Sequence, residues 1–183
     1  MNDDLTLRRQ RVIETSKLRG YALYAEIAAL LPEDSSDGPG IDEILAWLDR
    51  EGVDLLEAKP QPIWDFTEWS DDPVAFYLRE VAALPPLTPD RERILTERTR
   101  GNGPEAEVAK KDLVAGCLLR VVYVALHYTS VTRHILYLIQ DGNETLMKAV
   151  NNFDSSRGYR FSAYATWHLH RLLSRVEPPP SQK

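Results

Sequence analysis

Residues 104–129, "PEAEVAKKDLVAGCLLRVVYVALHYT", constrain the fold more than any other stretch. Their apolar positions recur at the spacing of one long helix, and Pro104 stands at its start, where a missing N–H is tolerated. The most apolar part, "LVAGCLLRVVYVAL", is too short to span a bilayer and carries Arg120 in its middle. Such a helix belongs in a folded core, and a hydrophobic fraction of 43% is ordinary for a chain that builds one.

The rest of the chain is punctuated for helices, and no stretch reads as a convincing strand. "GYALYAEIAALLPE" has helical spacing and stops at Pro32, and "DSSDGPG" is a turn-rich loop. "IDEILAWLDREGVDLL" places Ile41, Leu45 and Leu48 on one helical face, with Gly52 as a C-cap. Residues 58–70, "AKPQPIWDFTEWS" and its surroundings, read as a linker. "SDDPVAFYLREVAAL" begins a second unit with Pro73 near its first helical position, and Thr88 with Pro89 repeats the device. "RHILYLIQDGNETLMKAVNNFD" is a helix or a pair of them. "FSAYATWHLHRLLSRV" is the last helix, ended by "EPPP". The expected fold is all-α: an acidic helical unit over 1–57, a linker over 58–70, a helical domain over 71–176 and a disordered tail over 177–183.

The net charge of −6 is unevenly spread, with −9 on residues 1–104 and +3 on residues 105–183. Such a split marks one half suited to meet a polyanion and one half that is not. Cys117 is the only cysteine, so no intramolecular disulfide forms and a reducing compartment is indicated. "MNDDLTLRRQRVIE" has no apolar core of a signal segment, so a cytoplasmic protein without membrane contact is expected. One Cys and four His, none spaced as HExxH or CxxC, argue against a zinc or thiol site. There is no glycine-rich phosphate loop, and the acids form no visible pair. No enzymatic activity, cofactor or metal is expected.

Residues 157–171, "RGYRFSAYATWHLHR", mix Tyr159, Phe161, Tyr164 and Trp167 with Arg157, Arg160, His168, His170 and Arg171. A core helix would not carry so many cations, and a solvated one would not carry so many rings. Rings that stack on unpaired bases, beside cations that follow phosphates, give such a stretch a use. A purely structural alternative has Phe161 and Tyr164 packing the base of the helix.

"DPVAFYLREVAALPPLTPDRE", "LIQDGNETLMKAVNNFD" and "SSRGYRFSAYATWHLHR" resemble, in order, region 1.2 and two parts of region 2 of the sigma-70 family of bacterial RNA polymerase initiation factors. "RGYALYAEIAALLPED…IDEILAWLDREGVDLL" is similar to the acidic autoinhibitory region 1.1. The resemblance runs from about residue 18 to 176. It implies promoter DNA as a partner, with the non-template strand of the −10 element engaged by Arg157, Tyr159, Arg160, Phe161, Tyr164, Trp167, His168, Arg171, Ser174 and Arg175. It implies core RNA polymerase as a second partner, its β′ coiled coil docking on Gln140, Asp141, Asn143 and Met147. Leu78 and Arg79 fall where discriminator DNA is contacted. Taken without the resemblance, "DGN" reads as a turn at a helix end. The acidic unit is expected to weaken DNA binding by the free protein.

The chain also departs from the family pattern. His168 stands where a second tryptophan would help wedge the bubble, and Arg171 and Ser174 replace the Gln and Thr that read the first −10 base pair. Arg favours guanine in the major groove. Cys117 replaces an Asn of the base pocket, and Tyr137 replaces an Asp beside the docking motif. After Arg175 the sequence reads "VEPPPSQK", without the helix continuation that leads into regions 3 and 4. The expectation is a truncated or split factor that docks on polymerase and holds the −10 element while a second protein supplies the functions of regions 3 and 4. The alternative is a decoy or accessory regulator that binds core polymerase, or a sigma-binding protein, without reading DNA.

Overall fold

The computed structural model describes residues 2–31, 39–56, 73–128 and 135–176. Through these described residues run α1 (Asn2–Arg19), β1 (Tyr21–Leu23), α2 (Tyr24–Ala28), α3 (Pro39–Arg50), β2 (Asp54–Leu56), α4 (Pro73–Ala82), α5 (Pro89–Thr99), α6 (Pro104–Tyr128), α7 (Ile135–Asn152), a 3-10 turn (Ser155–Arg157) and α8 (Phe161–Val176). Among the described residues the protein is all-α apart from the two short strands. The linker at 58–70, the tail, Pro32 and most of the "DSSDGPG" loop lie outside the described residues.

Several helix starts follow from their sequence. Thr88 accepts the Arg91 N–H at 3.3 Å with Pro89 next, so one orphan amide of α5 is capped and the other position needs no donor. Gly52 adopts φ 65°, the left-handed turn that closes α3 and that a side chain would resist. Ile41, Leu45 and Leu48 are all buried on the inner face of α3.

Three readings differ from the sequence expectation. Tyr21–Leu23 and Asp54–Leu56 are strands, not parts of helices, and pair in parallel with Ala22 opposite Leu55. Three residues are too few to show alternation, and a pairing over such separation is decided by burial of Ala22 and Leu55, not by local preference. Residues 2–19 form a helix that was not read, since "NDDLTLRRQRVIETSKLR" is strongly polar and shows no apolar stripe. The "DGN" triplet is no turn: α7 runs straight through it. A Cβ on Gly142 would stand 2.6 Å from Val121 Cγ1, so glycine is there because α6 and α7 approach too closely for any side chain.

Two apolar clusters result. The larger unites α4 to α8 around Leu78, Leu113, Val121, Leu138, Leu146, Phe161, Leu169 and Leu173. The smaller gathers Ala22, Ile27, Ile41, Leu45, Leu48, Val53 and Leu55 from the N-terminal elements, and it is completed by Tyr159, Ala163 and Trp167. Helix α8 is thus a shared wall. Phe161, Ala165, Leu169 and Leu173, four apart, face the larger core, while Ala163 and Trp167 face the smaller.

Candidate nucleic-acid interface

The approach to α8 is built by local hydrogen bonds. Asp154 accepts the Ser156 N–H at 2.9 Å and the Ser156 hydroxyl at 2.7 Å, which forms the 3-10 turn. Arg100 donates to the Ser155 hydroxyl at 2.7 Å and ties that turn to α5. Glu92 of α5 then accepts the Ser162 N–H at 2.5 Å and the Ser162 hydroxyl at 3.0 Å. A carboxylate at a helix N-terminus is favoured by the exposed amides there. Burial nevertheless raises the Glu92 carboxyl above its ordinary value, against the pull of both Ser162 bonds and of Arg160 and Arg120.

The cations of the turn meet carboxylates from the N-terminal elements. Arg157 donates to Asp42 of α3 at 2.7 Å, and the Tyr159 hydroxyl donates to the other oxygen of Asp42 at 2.9 Å. Arg160 is paired with Asp49 of α3, and with Asp54 of β2 at 3.1 Å. Asp42 and Asp49 are two helical turns apart, so they present one acidic edge to the start of α8. Burial first, and the Asp42 contact second, hold the Tyr159 phenol well above its ordinary range.

The four rings divide into three environments. Phe161 is fully buried in the larger core, edge-on to Phe153 at 5.3 Å. Tyr159 and Trp167 are buried in the smaller core, and Trp167 lies 5.0 Å from the Tyr24 ring of α2. The neighbours of Trp167 are apolar and aromatic and come largely from the N-terminal elements. Its buried indole Nε1 has no hydrogen-bond partner. Tyr164 is half-buried, stacked on Tyr159 at 6.0 Å and met edge-on by His168 at 4.3 Å.

Tyr164 and His168 line two openings at once. One is a cleft of about 340 Å³ between α3 and α8, walled also by Asp42, Arg157, Tyr159 and Trp167. The other is an open groove of about 360 Å³ between α7 and α8, walled also by Lys148, Arg171 and Arg175. Ser174 is half-buried, its hydroxyl donating to the Arg171 carbonyl at 3.2 Å. Seven of the ten residues expected to engage DNA thus line these openings along one strip of α8 and its approach, with Tyr159 and Trp167 buried beneath the N-terminal elements, while Arg160 and Ser174 line neither opening. The tenth, Phe161, lies beneath it in the core.

The α7 residues split. Gln140 and Met147 are exposed, with Tyr137 on the same side, Met147 and Tyr137 showing 59% and 65% of their surface. Asp141 is half-buried. Asn143 is turned toward α4, donating to the Tyr77 hydroxyl at 3.2 Å. Of the discriminator pair, Arg79 is exposed and Leu78 is fully buried in the larger core. Cys117 is core as well, and burial pushes its thiol up to about 12, which leaves it inert. Among the described residues no group of three or more His, Cys, Asp and Glu could hold a metal ion, and no helix is long and apolar enough to cross a membrane.

Sequence reasoning missed Tyr24, Asp42, Asp49, Asp54 and Glu92. The seven-residue spacing of Asp42 and Asp49 was the one local signal available. Nothing local marked Tyr24, whose importance comes from what α8 places against it.

Comparison with known proteins places this architecture. The family model for sigma-70 region 2 matches residues 113–175, which take in α7, α8 and most of α6. The model for sigma-70 factor region 1.1 matches residues 8–72. An RNA polymerase sigma factor SigA of Listeria monocytogenes is 33% identical over 188 residues, covering 92% of this chain and 50% of the relative. SigA of Clostridium acetobutylicum is 34% identical over 91% of this chain and 46% of its own length. SigA of Lactococcus lactis subsp. cremoris is 42% identical over 58% of this chain and 29% of its own length. The chain thus spans about half or less of the curated relatives it matches. With region 1.1 laid along region 2 by the contacts above, the chain belongs to the sigma-70 family of RNA polymerase sigma factors.

Proposed function

We propose that this protein docks on core RNA polymerase through the exposed face of α7, at its β′ coiled coil, and holds the non-template strand of the −10 element along the start of α8. The observation that carries the reading is the pairing of Arg157 and Arg160 with three carboxylates. Those guanidiniums already grip a line of negative charge, which is what a strand's phosphates would offer in its place. Tyr164 and His168 stand beside them, open to both grooves, where an unpaired base can stack.

The exposed side of α7 suits docking. Tyr137 and Met147 supply adaptable apolar contact and Gln140 supplies directional hydrogen bonds. Asn143 contributes by fixing α7 against α4 through Tyr77.

A non-initiating decoy remains the second reading, and the burial of Tyr159, Phe161 and Trp167 favours it. Only Phe161 is held by the region 2 core; the other two are covered by the N-terminal elements, which a strand can displace. Tryptophan fluorescence separates the readings. Adding single-stranded −10 DNA to the protein should change the emission of its four tryptophans at low salt, whereas the decoy gives no change at any concentration.

A further inference from the structure

Tyr24 lies flat on His170, ring centroids 4.4 Å apart and planes 14° from parallel, and tilts against Trp167 at 5.0 Å. That is the geometry of a base on an aromatic platform. The ring comes from α2, and the acidic edge that grips Arg157 and Arg160 comes from α3 and β2. One contiguous unit thus brings a stacked ring and a row of carboxylates to the same strip of α8.

Two further facts set the ring apart from an ordinary core contact. Its hydroxyl end lies with Ser174, Arg171 and Arg175, the polar and cationic end of the strip. The Trp167 indole N–H beside it is buried without a partner, so the closed arrangement leaves one donor unsatisfied.

We propose that Tyr24 occupies the position of a nucleobase on the Trp167–His170 platform and must be displaced before a single strand can stack there. The N-terminal unit then competes with nucleic acid at two separable points: the carboxylates against phosphates, and Tyr24 against a base. This rests on the reading that α8 holds single-stranded DNA, and it adds which residue of the N-terminal unit blocks the base.

The test uses the full chain and two labelled probes: a short single-stranded oligodeoxynucleotide, and the same sugar-phosphate strand with its bases removed. Tyr24→Ala should tighten binding of the strand with bases about tenfold, the order of one base stack, and leave the abasic strand unchanged. Tyr24→Phe, which keeps the ring, should bind both like the parent. Asp49→Asn should tighten both probes alike, because it removes one of the two carboxylates that hold Arg160.

If Tyr24→Ala tightens both probes equally, the substitution has merely loosened the N-terminal unit, and the base position is wrong. If the parent binds the strand with bases and Tyr24→Ala changes nothing, the ring blocks nothing, while the DNA-binding reading stands. If neither the parent nor any variant binds either probe, that reading falls and the base position with it.

Discussion

Glu92 accepts both the backbone N–H and the hydroxyl of Ser162, so a buried carboxylate on α5 caps the first turn of α8. Replacing it by alanine leaves a helix-terminal amide without its acceptor, which should cost about 1–3 kcal/mol in chemical denaturation. Glu92→Gln keeps an acceptor and should cost less. The pH dependence has a fixed sign. The folded carboxyl titrates above its ordinary value of 4.5, so below that value the folded and unfolded chains are both protonated and its stabilising contribution is complete. As pH rises through the raised folded value that contribution is lost. The parent should therefore lose stability relative to Glu92→Gln as pH is raised from 4.5 to neutrality, measured as the difference in Tm.

Gly142→Ala is the most direct probe of how α6 and α7 meet. The added methyl would stand 2.6 Å from Val121 Cγ1, deep between two packed helices. Overpacking of this kind should lower stability by about 1–3 kcal/mol. Val121→Ala in the same chain should recover part of the loss, because it removes the atom that clashes.

The legibility of this protein follows from the range over which each feature is encoded. Helices α3 to α8 could be read because their caps, prolines and apolar spacing are local. Strands β1 and β2 could not, since three residues carry no period and their pairing joins positions 33 apart in the chain. The strip proposed to meet DNA could be picked out as a set, because Arg157, Tyr164 and their neighbours are close in sequence. Its burial could not be, because the cover comes from Tyr24, Asp42, Asp49 and Asp54, more than a hundred residues earlier. Leu78 shows the converse: similarity to a functional motif named it, while its zero exposure gives it a packing role.

Docking on polymerase should follow exposure on α7. Met147→Glu places a charge on an exposed apolar contact and should abolish co-purification with the β′ subunit while leaving Tm unchanged. Asn143→Ala should instead lower stability by about 1 kcal/mol, through loss of the Tyr77 hydrogen bond. If Met147→Glu co-purifies as well as the parent, docking lies on another face.

A chain beginning at Asp71 should bind single-stranded −10 DNA more tightly than the full protein. Salt should narrow the difference without removing it. The pairs at Arg157 and Arg160 are partly exposed and weaken as counterions screen them. The burial of Tyr159 and Trp167 is apolar and does not. Fluorescence anisotropy over a salt series measures the gap, and equal affinities at low salt would show that the N-terminal unit covers nothing DNA uses.

Tyr164 tests the central claim most directly, because it is the half-buried ring that opens onto both grooves of the strip. The measurement is the affinity of Tyr164→Ala for single-stranded −10 DNA, taken on the same sample as its Tm. The account predicts a loss of about 1–3 kcal/mol in affinity, the worth of one base stack, with a smaller change in stability. A large fall in Tm with affinity equal to that of the parent would mean that Tyr164 only packs the helix, and would contradict a nucleic-acid role for the strip.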